Sequence, residues 1–284
     1  MAESFLIALR EGFEAALIVA IVLAFVKRQA PEQARSVWIG TGAALGLATV
    51  LGLILHFVLD GLEGVNRGRA FAGICIAAAA LLTWMIFWMR KHARSLKGEL
   101  EGKASSAIAE GSTYALAFVA FTAVLREGLE TALFLISTTA SSDGAQVALG
   151  TLLGLGGAVV LGVAVYHGSK RFNMRKFFSV TGFLIILFAA GLVAKFVMFL
   201  QGTGDLGSFN LNGVYDVRGI GWLNPADGTT GQFLQGIFGW DPRPSIEQVV
   251  GYLGYLIPVT AFYFAGNKSP APKPAAPPKE PVPA

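Results

Sequence analysis

The chain is poor in cysteine, histidine and charge. Its 284 residues include one cysteine, Cys75, which excludes an internal disulfide and any multi-cysteine metal site. Cys75 lies in an apolar run, where a buried packing role is expected. The three histidines, His56, His92 and His167, fall at or beyond the ends of apolar runs. A soft-metal site built on thiolate or imidazole is therefore disfavoured. Charged residues make up 14% of the chain, against about a quarter in soluble domains. Proline is sparse until the end, where seven of the twelve fall in residues 267–284. That segment is expected to form a disordered cytoplasmic tail. No basic segment precedes the first apolar run, which itself holds Glu11 and Glu14, so no cleavable signal is expected.

What the chain has is apolar length. With 54% hydrophobic residues, 35 glycines and a mean hydropathy of +0.59, it reads as an all-α polytopic membrane protein. Seven spans are expected, at 4–26, 37–59, 68–90, 113–139, 145–167, 177–200 and 246–265. Each is close to the roughly 20 residues that cross the hydrocarbon core. Alternate gaps and the tail carry 15 of the 22 Lys and Arg residues, the opposite side carries 4, and 3 lie within spans. The positive-inside rule then puts the N-terminus outside and the C-terminus inside. This segregation explains the net charge of +4 without nucleic acid. Between the spans, 91–112 carries both signs of charge and is expected as a surface helix. The outer segment 201–245 is far longer than an ordinary connection.

Three charges interrupt the first span, in Arg10-Glu11-Gly12-Phe13-Glu14, and the phrase returns 116 residues later as Arg126-Glu127-Gly128-Leu129-Glu130. An ionisable group at membrane depth is costly and marks a functional site by default. The match extends to Leu9/Leu125, Ala16/Ala132 and Leu17/Leu133, and the next span of each half carries Gly-x-x-x-Gly-Leu, at 42–47 and 150–155. Halves of three spans, about 1–90 and 113–200, imply an inverted-topology repeat followed by a seventh helix. Such transporters place substrate near the midplane, at the repeat interface.

On a helix, Glu11 and Glu14 share a face, as do Glu127 and Glu130. Antiparallel packing is expected to set Glu11 near Glu130 and Glu14 near Glu127. With Arg10 and Arg126 as counter-charge and gate, four carboxylates leave a charge of about −2, which a multivalent cation would offset. An all-oxygen set suits hard ions, and Fe³⁺ fits; Mn²⁺, Mg²⁺ and Ca²⁺ remain open on ligand chemistry alone. Gly12 and Gly128 are expected to let the two pentad helices approach closely enough to share one ion. Thr122, Thr131 and Thr138 are expected to bond back to their own helix. Lys195 is read as a snorkelling residue, and Tyr252, Tyr255 and Tyr263 as interfacial anchors or packing.

Arg-Glu-Gly-x-Glu in spans 1 and 4 of a seven-span protein resembles the oxidase-dependent iron transporters, the ferric iron permeases of bacteria and fungi. The resemblance covers residues 1 to about 266 and includes the run Gly239-Trp240-Asp241-Pro242-Arg243-Pro244-Ser245. It implies a non-enzymatic permease of the cell's inner membrane, bacterial in type, without a permanent cofactor. Iron would be the substrate and Glu11, Glu14, Glu127 and Glu130 its ligands. It also implies a separate periplasmic partner, of cupredoxin-like or multicopper-oxidase type, that oxidises Fe²⁺ and delivers Fe³⁺. Family members carry acidic residues in outer loops; here metal capture would fall to Asp205, Asp216 and Asp227, which are scattered and form no tight Glu-x-x-Glu. Two other functions compete. One is transport of a different cation, such as Mn²⁺ or Pb²⁺, through the same site. The other is a membrane ferroxidase, disfavoured because di-iron sites usually add Glu-x-x-His.

Overall fold

The structure is a computed structural model, and it describes residues 1–92, 95–109, 111, 113–139, 144–166, 174–208, 213–225 and 228–265. The proline-rich tail therefore lies outside the described residues. Among these residues there is no strand. The helices are α1 (Ala2–Gln29), α2 (Ala34–Asp60), α3 (Gly64–His92), α4 (Leu96–Ala109), α5 (Thr113–Thr139), α6 (Gly144–Tyr166), α7 (Met174–Gly202), α8 (Thr229–Phe238) and α9 (Ile246–Ala265). A 3-10 turn, Pro31–Gln33, joins α1 to α2. Five of these segments are long and apolar enough to cross a membrane: Pro31–Asp60, Gly64–Met89, Gly144–Ala164, Ser179–Gly202 and Ile246–Ala265. The other two long helices, α1 and α5, match them in length but carry the pentads, three charges each.

Small residues set the packing. α1 lies against α6, and α5 lies against α2. Along α6 the contact stripe is Gly150, Gly154, Ala158 and Gly162; along α2 it is Gly40, Ala44, Ala48 and Gly52. The register repeats. Gly12 faces Ala158 and Gly128 faces Ala48; Gly162 faces Ala16 and Gly52 faces Ala132; Gly150 faces the Met1 carbonyl and Gly40 the Ala117 carbonyl. Partners on α1 and α5 are thus 116 residues apart and those on α6 and α2 are 110 apart. Two expectations are corrected here. Gly12 and Gly128 do not bring the pentad helices together; each seats its helix on the second helix of the other half, where a Cβ would stand 3.0 Å from Ala158 Cβ or 2.7 Å from Ala48 Cβ. Gly42 and Gly46 touch nothing and face outward, so the stripe in the first half starts two residues earlier and uses alanine where glycine was sought.

The largest core joins α3 to α7, with Leu82, Met85 and Ile86 against Ile186, Ala189 and Leu192. Cys75 is buried in it, as expected. Tyr263 of α9 is buried and donates to the Ser179 carbonyl at 3.2 Å, while the Tyr255 hydroxyl pairs with Thr83 Oγ1 at 2.5 Å. A second core joins α1, α2 and α5 to α4, through Leu100, Ala104 and Ala107. Their i, i+4, i+7 spacing puts these three on one face of α4. α4 is thus the expected surface helix, seated on the core through this face while Gly98, Glu99, Gly102 and Lys103 stay exposed. The described residues of the outer segment include α8, capped by Gly239 at φ 64°, a left-handed conformation that suits glycine. Val214 and Val217 donate to the carbonyls of Pro244 and Pro242 at 2.9 and 3.0 Å. α2 and α6 leave long apolar rows outside, among them Phe57 and Val160, as a lipid-facing surface requires.

Candidate metal site

α1 presents one buried stripe of Glu3, Ile7, Arg10, Glu11 and Glu14, at the three- and four-residue spacing of a helix face. Arg10 is clamped inside it. Its Nη1 donates to Glu11 Oε1 at 2.8 Å and to Met85 Sδ at 3.2 Å, and its Nη2 lies 3.0 Å from Glu14 Oε1. Glu14 Oε1 makes no aligned hydrogen bond despite that distance, and Glu11 Oε2 has no hydrogen-bond partner.

On α5, Arg126 Nε donates to Glu130 Oε1 at 2.9 Å and stands 3.8 Å from Glu127 Oε1. Its guanidinium lies 4.8 Å from the Trp88 ring and 5.5 Å from that of Trp84, a cation–π arrangement supplied by α3. Thr131 donates to the Glu127 carbonyl at 2.7 Å; Thr122 and Thr138 likewise bond back to Phe118 and Leu135.

α1 and α5 are neighbours, and the pentads meet. Glu11, Glu14 and Glu127 each offer a carboxylate oxygen, and the three lie within 4.8 Å of one another. Oxygens on opposite sides of one metal stand about 4–5 Å apart at ligand distances of about 2.0–2.6 Å. Glu127 Oε2 has no hydrogen-bond partner. An unsatisfied buried carboxylate oxygen costs about 1–3 kcal/mol or more, so a cation here would relieve a penalty the fold otherwise carries. Glu130 stands outside the trio and is held by Arg126, so three of the four expected carboxylates converge. Among the described residues no other group of three or more His, Cys, Asp or Glu side chains lies close enough to hold an ion.

The loop aspartates are engaged with arginines. Asp205 takes a bidentate pair from Arg69, with Nε at 2.8 Å, and this holds its carboxyl down to about 2. Arg218 does the same for Asp216, also to about 2. Asp227 lies outside the described residues. Lys195 does not snorkel: it is 8% exposed and its ammonium donates to Glu3 Oε1 at 3.1 Å. Glu3 itself is buried and precedes the apolar run, which is why its pairing was not anticipated. Met85, Trp84 and Trp88 were also missed, although the i, i+4 tryptophans were a readable signal for a shared face.

A cavity of about 260 Å³ lies beside the trio, lined by Glu14, Glu127 and Arg126 and, from α4, by Glu99 and Lys103.

Residues 1–266 match the family described as Iron permease FTR1. The chain is 34% identical over 277 residues to the ferrous iron permease EfeU of Yersinia pestis, covering 94% of each chain. It is 37% identical over 258 residues to the ferrous iron permease EfeU of Escherichia coli O157:H7, covering 89% of this chain and 92% of the relative. No solved structure matches. These likenesses, with the apolar helices, make the chain a multi-pass membrane protein.

Proposed function

The chain belongs to the Iron permease FTR1 family, and from that premise we propose that it imports iron across the cell's inner membrane through a cage built by both pentads. The observation that carries the reading is the approach of Glu11 and Glu14 to Glu127. Glu130 completes the set when Arg126 releases it. α1 and α5 cross the membrane with the five apolar segments, giving seven spans with the N-terminus outside. The two halves are inverted repeats, a reading supported by the matched registers of α1 on α6 and α5 on α2. In this scheme the Met1 end of α1 faces the periplasm, and the cavity side faces the cytoplasm.

The pentad carboxylates bind, and the arginines set the charge. Four carboxylates and two guanidiniums leave about −2, enough to hold a hard cation without help from sulfur or nitrogen ligands. Inward movement is favoured by the membrane potential, at about 2.3 kcal/mol per charge per 100 mV. The permeant species is Fe³⁺, delivered by a periplasmic oxidising protein. A second reading, Fe²⁺, is favoured by the name of the relatives and by the charge count, which a divalent ion would balance. Radioiron uptake into cells separates them. Uptake that persists with ascorbate and no oxidising partner supports Fe²⁺; uptake that ferrozine abolishes only before oxidation supports Fe³⁺. The permease reading itself is tested by Glu11→Gln and Glu127→Gln, each expected to abolish uptake while the protein accumulates in the membrane. Normal uptake in both would overturn it.

A further inference from the structure

The two ends of the pentad helices differ. Toward the start of α1, Glu3 is buried and locked to Lys195, which closes that end with an ion pair. Toward α4, the Glu14 and Glu127 carboxylates border open space instead. They are each 4% exposed, whereas the side chains of Glu99 and Lys103 are 48% and 59% exposed. The cavity therefore runs from the buried trio to solvent beneath α4. Its α4 side is lined by Glu99, Leu100 and Lys103.

We propose that this cavity is the release route for the transported cation and that Glu99 is its last protein ligand. The inference rests on the permease reading above and adds an exit site to it. Conduction needs binding strong enough to admit an ion and a further site that lets it leave. A trio of buried carboxylates alone would retain a multivalent cation. Glu99 supplies a fifth carboxylate one cavity away. Between ions, the Lys103 ammonium, 3.0 Å from Glu99 Oε1, occupies that carboxylate as a tethered cation. The pair is exposed and one helical turn apart, so it is weak and a multivalent ion displaces it. The adjoining face of α4 is anchored by Leu100, Ala104 and Ala107 against α1 and α5, which keeps Glu99 at the mouth. Arg126 also borders the cavity, partly exposed over Trp88 while bonded to Glu130, and there its charge opposes passage.

The test measures two things on the full chain: radioiron uptake in cells at matched membrane levels, and radioiron bound per purified chain. Glu99→Gln is expected to slow uptake about tenfold, as loss of one charged ligand would, and to leave bound iron unchanged. Glu99→Asp restores most of the rate. Uptake at the wild-type rate in Glu99→Gln overturns the exit role, and so does loss of bound iron together with uptake. A wild-type chain that neither binds nor imports iron defeats the permease reading instead, which keeps the two failures apart. A second measurement does not depend on that variant folding. In a Cys75→Ala background, Val119→Cys on the cavity wall should react with an impermeant maleimide from the cytoplasmic face of inverted vesicles, and Fe²⁺ or Fe³⁺ should slow the reaction. Absence of labelling from that face also overturns the proposal.

Discussion

The two pentads share four of five residues but occupy unlike surroundings. Arg10 is 2% exposed and divided between two carboxylates and a thioether, whereas the Arg126 side chain is 35% exposed and lies over two indoles beside a cavity. The first pentad offers both its carboxylates to the trio; the second offers Glu127 and keeps Glu130 on its own arginine. A repeated motif therefore fixes which groups are present without making them equivalent. One half has a fixed counter-charge, and the other has a counter-charge with room to move.

The largest effect that would break this comparison is at the carboxylates. Glu11→Gln and Glu127→Gln are both expected to reduce iron uptake about a hundredfold or more, since loss of groups that merely support metal ligands already costs 10–100-fold. Equal and severe losses in the two halves would tie both pentads to one site; a mild loss in one would separate them.

The arginines sharpen the difference. Arg10→Met strips the charge partner from two buried carboxylates and is expected to destabilise the protein by about 3–5 kcal/mol. Arg126→Met should cost less, about 1–3 kcal/mol, because the arginine is 35% exposed but its loss leaves the Glu130 carboxylate, 11% exposed, without its donor. Thermal unfolding in detergent compares the two, and equal costs would erase the asymmetry. Next come the small residues. Gly128→Ala pushes a Cβ to 2.7 Å from Ala48 and should cost about 1–3 kcal/mol, while Gly42→Ala, in open space, should be close to neutral.

The smallest effect lies in the loop. Burial plays little part in the Asp205 shift; the Arg69 hydrogen bonds lower it from 3.8 to about 2. A lowered carboxyl contributes its stability in full above the unfolded value and loses it as pH falls toward 2. Between pH 5 and 8 this pair should therefore add no pH dependence to uptake, and Asp205→Asn should leave the profile unchanged.

The long helices were legible because charge and apolar length are one-dimensional signals. The span limits at 113–139 and 246–265 coincide with α5 and α9. The pentads were legible for the same reason: three charges inside an apolar run stand out whatever surrounds them. The packing register was not. Matching glycine to glycine selected Gly42 and Gly46, but the contact depends on side-chain size, and Ala44 and Ala48 serve as well as glycine. Glu3–Lys195 was hidden because its members are 192 residues apart and only the fold brings them together. α8 is ten residues flanked by glycine, too short to impose a period. Glu130 followed the opposite course. Its place on the helix was correctly read, but a sequence cannot reveal whether a carboxylate prefers an ion site or the arginine one turn away.

Anomalous scattering at the iron edge, from crystals of the full chain grown with iron, tests the shared site most directly. One peak is expected, in contact with carboxylate oxygens of Glu11, Glu14 and Glu127 together. Two separate peaks, or a peak that touches the glutamates of only one pentad, would contradict it.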